Sequence, residues 1–173
     1  AYASDIVDAL HHQEFSSGEL KIFSINSALD RTKVWREKGH KIGFTNGCFD
    51  LLHPGHISTI NKAKAACDKL VIGLNSDESV KRLKGESRPI QSESARAQVL
   101  ASLENVDAVI IFSESTPLKI LETLKPEIFV KGADYTISDI PEAEIVQAYG
   151  GEIVLAEIKK GYSTTATVSK LNK

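Results

Sequence analysis

KIGFTNGCFDLLHPGH, residues Lys41 to His56, runs from an apolar strand through a tight turn into the start of a helix. Ile42 to Thr45 is the strand and Asn46-Gly47 the turn. Pro54 suits a first helical position, because its fixed φ is already helical and its missing N–H is not needed there. His53 and His56 are three apart at that helix start, so they face the same way and lie beside unpaired backbone N–H groups. Such a helix end attracts phosphate. The stretch therefore predicts a phosphate site between a first strand and its following helix.

Outward from that stretch, strand and helix patterns alternate. A helix pattern, with Ser27 as the expected cap, runs to Lys38 and stops at Gly39. The helix after the histidines extends from Pro54 to about Cys67. KLVIGLN (Lys69 to Asn75) is a continuous apolar run, as in strands buried on both faces. A short helix from Ser76 to Leu83 leads into the cationic loop KRLKGESRP, and Ser92 caps the next helix. Further strands fall at Val106 to Phe112, Glu127 to Lys131 and Glu152 to Leu155, with helices at Thr116-Pro117 to Lys125, Pro141 to Tyr149 and Thr164 to Leu171. The alternation predicts an α/β fold, a Rossmann-like doubly wound sheet of about five parallel strands with helices on both faces. Ligands of such sheets sit beyond the carboxyl ends of the strands at a topological switch point. Residues 1 to 24 are expected to be a linker or tail, and 25 to 173 the domain.

Bulk properties narrow the function classes. The chain has 173 residues, a formal net charge of −2, 42% hydrophobic and 25% charged residues. That balance argues against a nucleic-acid surface, which is normally basic. No apolar run approaches the ~20 residues needed to cross a bilayer, so no membrane partner is expected. Cys48 and Cys67 form neither a disulfide framework nor a zinc pattern, and no signal peptide is visible; the expected compartment is the cytoplasm. The chain starts at Ala1 and contains no methionine, which suggests a piece of a longer protein. G-x-G-x-x-G and G-x-x-x-x-G-K-[ST] are both absent, which removes the dinucleotide and P-loop fingerprints.

Gly47-Cys48-Phe49-Asp50-Leu51-Leu52-His53-Pro54-Gly55-His56 resembles the HxGH nucleotidyltransferase superfamily, which includes small cytidylyltransferases and pantetheine-phosphate adenylyltransferase. The resemblance implies that His53 and His56 stabilise the α-phosphate of a nucleoside triphosphate during in-line attack. Lys84-Gly85-x-x-Arg88-Pro89, Arg96-Ala97, Val106-Asp107, Phe112-Ser113-Glu114-x-Thr116-Pro117, Val130-Lys131-Gly132-Ala133-Asp134-Tyr135 and Gly161-Tyr162-Ser163-Thr164-Thr165 follow in order. Together they are similar to the branch that makes ADP-heptose, over roughly residues 25 to 172. The chain departs from that branch at Ala133, usually a second glycine, and at Tyr162, commonly a cysteine.

The implied catalytic set is His53, His56, Lys84 and Arg96. The implied nucleotide contacts are Thr45, Asn46, Gly47, Cys48, Phe49, Gly55, Lys131, Ser163, Thr164 and Thr165, together with both histidines. Asp50, Arg88, Asp134 and Tyr135 are the expected substrate contacts, and no residue is expected to ligate a metal. Such a transfer needs charge neutralisation and alignment rather than a strong base, because the attacking phosphate is already an anion. The expected reaction is adenylyl transfer from ATP, with Mg²⁺, to D-glycero-β-D-manno-heptose 1-phosphate, feeding lipopolysaccharide core synthesis. A cytidylyltransferase acting on glycerol phosphate or another polyol phosphate is the alternative, and a non-catalytic nucleotide-binding module of a longer protein is a third. A homodimer and an upstream sugar kinase domain are possible partners.

Overall fold

The computed structural model describes residues 19–133 and 136–157 and the single positions 162, 164, 168 and 169. Six strands, β1 (Ile22–Phe23), β2 (Ile42–Gly47), β3 (Lys69–Asn75), β4 (Ala108–Phe112), β5 (Ile128–Ala133) and β6 (Glu152–Glu157), form one sheet in the order β1-β4-β3-β2-β5-β6. Every neighbouring pair is parallel. The helices are α1 (Ile25–Glu37), α2 (Pro54–Ala65), α3 (Asp77–Lys84), α4 (Glu93–Ala101), α5 (Leu118–Leu124) and α6 (Ala143–Ala148).

Alternation along the strands sends side chains to two cores, one on each sheet face. Leu70, Ile72 and Leu74 of β3 pack with Ile60 and Ala63 of α2 and Ala97 and Leu100 of α4. Val71, between them, packs on the opposite face with Phe44, Ile110, Leu121, Phe129 and Val146. Both faces are covered, which is why these strands are continuously apolar. Gly73 serves this packing: a Cβ there would lie 2.6 Å from the Phe44 ring.

The edge of the sheet adds detail to the expected fold. A sixth strand joins the expected five or so, because Ile22–Phe23 pairs with Val109 and Ile110 at the sheet's edge. Residues 19–24, expected in the linker, therefore belong to the domain, and Lys21 Nζ donates to the Leu103 carbonyl at 3.1 Å. A two-residue strand leaves no periodicity to detect. The cap of α1 is Ser24 rather than Ser27, and the Ser24 hydroxyl accepts from Ser27 N–H. Residues 1–18 and most of the expected helix from Thr164 to Leu171 lie outside the described residues. Among the described residues no helix is long and apolar enough to cross a membrane.

The chain leaves β2 toward β3 and β4 on one side, then crosses to β5 and β6 on the other. The switch point lies between β2 and β5, at the carboxyl end of the strand that carries the histidine turn.

Candidate active site at the β2–β5 switch point

The turn after β2 places Phe49 at a φ of 45°, a left-handed conformation that is strained for a bulky residue. Its ring folds back over the strand end, where a Cβ on Gly47 would be 3.1 Å from it. Gly47 thus makes room for Phe49 as well as for an approaching ligand. Phe49 in turn packs at 5.1 Å against the His56 ring and backs the histidine pair.

His53 is the N-cap of α2, and its Nδ1 accepts from His56 N–H at 3.4 Å. An imidazole that accepts at Nδ1 carries its proton at Nε2, so the cap sets the tautomer. The His53 and His56 rings stack with centroids 3.7 Å apart and planes 19° apart. A Cβ on Gly55 would be 3.0 Å from the His53 ring, so glycine allows the ring to lie over the helix start. Burial holds the His53 pKa below its ordinary value. Burial, reinforced by repulsion from His53, brings His56 down to about 4, against an opposing pull from the Leu51 backbone. Both are therefore neutral near pH 7, each with one ring N–H. His56 Nδ1 and Asn46 Oδ1 are buried and find no hydrogen-bond partner among the described residues.

These groups line a cavity of about 260 Å³ bounded by Thr45, Asn46, Gly47, Cys48, Phe49, His53, Gly55, His56, Thr59 and Gly132. A more polar cavity of about 590 Å³ adjoins it, sharing Gly47, Cys48, Phe49, His53 and His56. Asp50, Leu83, Lys84, Arg88, Lys131, Tyr162 and Thr164 complete its lining. Lys84 is exposed at the end of α3. Thr164 donates to the Leu51 carbonyl at 3.3 Å, and the Tyr162 ring lies 6.4 Å from His53. A broader groove of about 730 Å³ runs along α2 past Pro54, Ile57, Ser58 and Asn61, and shares His53 with these cavities.

Two expected site residues are engaged by partners within the protein. Arg96, expected among the catalytic residues, has a fully buried side chain. Its Nη1 donates to the carbonyls of Cys48 (2.6 Å) and Asn75 (2.8 Å), Nε to Gln91 O, and Nη2 to Asp77 Oδ1. It clamps the carboxyl ends of β2 and β3 together and does not line either cavity. A helix-borne arginine beside a phosphate site and one beneath it are indistinguishable in sequence.

Asp50, expected to touch substrate, is 1% exposed. It accepts from Arg88 Nε at 2.6 Å and from the N–H groups of Ile90 and Gln91. Burial opposes its ionisation, but the Gln91 and Ile90 amides and the Arg88 guanidinium prevail and hold its pKa below the usual carboxylate range. Asp50 thus anchors the loop that presents Arg88. Asp134, Tyr135, Ser163 and Thr165 lie outside the described residues.

Sequence reasoning missed Glu142, 3% exposed, whose Oε1 accepts from Lys131 Nζ at 2.8 Å. The cation at the end of a buried strand was the available signal, since a buried charge needs a partner. Among the described residues no group of three or more His, Cys, Asp or Glu side chains could hold a metal ion.

Comparison with known proteins gives the chain its relatives. The chain is 57% identical over 172 residues to the bifunctional protein HldE of Paramagnetospirillum magneticum, covering 99% of this chain and 35% of that protein. It is 48% identical over 170 residues to the protein of the same name from Caulobacter vibrioides, with 98% and 35% covered. The chain thus spans about a third of the length of the curated relatives it matches. Among solved structures it resembles the lipopolysaccharide core biosynthesis protein from Thermoplasma volcanium, with a TM-score of 0.57 and 30% identity, covering 72% of this chain and all of that one. The pantoate–β-alanine ligase of Francisella tularensis (TM-score 0.59, 22% identity, 80% of this chain and 67% of that one) shares the fold. The cytidylyltransferase-like family model matches residues 44–168, from the middle of β2 to beyond Thr164. A parallel sheet with a histidine-capped helix at its switch point, matched over most of its length by that family, makes this chain a member of the cytidylyltransferase-like family.

Proposed function

We propose that this chain transfers an adenylyl group from MgATP to D-glycero-β-D-manno-heptose 1-phosphate, giving ADP-heptose and pyrophosphate. The observation that carries it is the stacked, neutral His53–His56 pair at the start of α2, facing a cavity rimmed by Lys84, Arg88 and Lys131. An oxygen of the sugar phosphate attacks the α-phosphorus, and the bond to the β-phosphate bridging oxygen breaks. Pyrophosphate leaves with that electron pair. The attacking group is already ionised, so no residue has to remove a proton. His53 Nε2–H and His56 donate to the α-phosphate oxygens, where charge crowds in the transition state. Lys84, Arg88 and Lys131 neutralise the phosphates on either side, and the α2 N-terminus adds its own positive end. The α-phosphate would therefore lie against the histidines, with pyrophosphate and sugar phosphate in the larger cavity.

The heptose assignment is supported by the ordered motifs Lys84-Gly85, Val130-Lys131-Gly132-Ala133-Asp134-Tyr135 and Gly161-Tyr162-Ser163-Thr164-Thr165. It is also supported by 48–57% identity to bifunctional relatives along nearly the whole chain. Because the chain corresponds to about a third of those relatives, a sugar kinase on a preceding segment of the parent protein belongs to the same proposal. The family's description favours one other reading, cytidylyl transfer to a polyol phosphate. Pyrophosphate release with each of the four nucleoside triphosphates, against heptose 1-phosphate and glycerol 3-phosphate, separates the two. Turnover with ATP and the heptose phosphate is expected, and a strong preference for CTP would overturn the proposal. Nucleotide binding with no turnover on any acceptor would instead leave a binding module.

A further inference from the structure

Two cations on the cavity rim have a buried carboxylate behind them, and the two carboxylates differ. Asp50, behind Arg88, has both oxygens engaged by Arg88, Ile90 and Gln91. Glu142, behind Lys131, accepts at Oε1 from Lys131 Nζ, while its Oε2 is buried with no donor among the described residues. Glu142 stands at the N-cap position of α6, yet its side chain caps nothing. Helix formation therefore does not explain the carboxylate, and a buried carboxylate with an empty oxygen is costly. Lys131 keeps 24% of its side chain exposed, against 4% for Glu142. Its Nζ also lies 5.5 Å from the centre of the Phe129 ring. One N–H is fixed by Glu142, and Lys131 lines the larger cavity beside the histidines.

We infer that Glu142 is a positioning residue, holding Lys131 Nζ at the β5 side of the cavity so that its remaining N–H groups meet the nucleotide's phosphates. This rests on the proposed nucleotide site. Among the described residues Lys131 is the only partner of that carboxylate, so the two act as a unit. A lysine on four flexible bonds loses less entropy on binding phosphate when it is already aimed.

The test is a double-mutant cycle on the 173-residue chain, reading the Kd for α,β-methylene-ATP with Mg²⁺ by calorimetry. Glu142→Ala is expected to weaken binding about tenfold, like Lys131→Met, and less than twofold in the Lys131→Met background. Glu142→Gln keeps the Oε1 acceptor and is expected within about threefold of the parent. The double variant Lys131→Met/Glu142→Gln should melt higher than Lys131→Met, because it no longer strands a buried charge. If Glu142→Ala does not fold, Glu142→Asp replaces it. It retracts the carboxylate by one methylene and should show the same dependence on Lys131. An equal effect of the Glu142 change with and without Lys131, or unchanged affinity, overturns the inference while leaving the nucleotide site intact. Failure of the parent chain to bind the nucleotide overturns both.

Discussion

Nucleotide binding should take up a proton at the histidine pair. His56 is held at about 4 in the free protein because it is buried and stacked on His53. A phosphate anion beside the ring attracts the proton and opposes that depression, and a return to the ordinary 6.5 sets the scale. With those two values, linkage makes MgATP binding about tenfold tighter at pH 5.5 than at pH 8, or ~1.4 kcal/mol, with roughly 0.9 proton taken up at pH 5.5. The nucleotide's terminal phosphate titrates in the same range and works in the opposite direction. His56→Asn supplies the correction, since it keeps the nucleotide's contribution and removes the ring. Calorimetry of Mg-α,β-methylene-ATP binding in two buffers of different ionisation heat reads the proton count directly. The free protein should respond in the opposite sense. Its depressed His56 contributes stability that is complete above pH 6.5 and is lost as the pH falls toward 4. Acidification should therefore lower the urea midpoint of the free chain while it tightens the complex. Equal pH slopes and equal proton counts for the parent and His56→Asn would refute the assignment of His56 to the phosphate.

Asp50→Asn breaks a buried pair by removing one charge, at a cost of about 3–5 kcal/mol, which is roughly a 10 °C fall in Tm for a chain of this size. In the parent the Asp50 contribution is present above its ordinary pKa of 3.8 and lost as the pH falls through its lowered folded value, so acid melts should separate the two proteins only above that range. Arg96→Lys replaces a planar fork that joins the ends of β2 and β3 by one ammonium. Melting should register a loss of about 3 kcal/mol, and kcat/KM should fall through the displaced turn; an unchanged Tm with lost turnover would return Arg96 to direct catalysis. Gly55→Ala places a Cβ 3.0 Å from the His53 ring. Turnover is expected to fall at least tenfold, while the better helix propensity of alanine, up to ~1 kcal/mol, keeps Tm close to the parent's. Full activity in this variant would show that the stacked ring position is not needed.

The β–α alternation, the apolar strands and the histidine turn were legible in the sequence because each is written in neighbouring residues. Period-two burial, capping serines and a proline at a helix start act over a few positions, so Lys69–Asn75 and Pro54–Ala65 emerge near their observed bounds. The edge strand Ile22–Phe23 is too short to carry a period, and it exists only because β4 offers an unpaired edge. The division of labour among the charged residues was likewise not local. Arg96 meets Cys48 across 48 positions, Asp50 meets Arg88 across 38, and Lys131 meets Glu142 across 11. Residue type made each of them a candidate for phosphate. Burial gave Arg96 and Asp50 protein partners that the sequence does not show, because a charge removed from water is held by whatever partners the fold brings to it. From the sequence alone came the location of the candidate site, at the turn between β2 and α2. The tertiary structure separated the residues that face the cavity from those that hold them there.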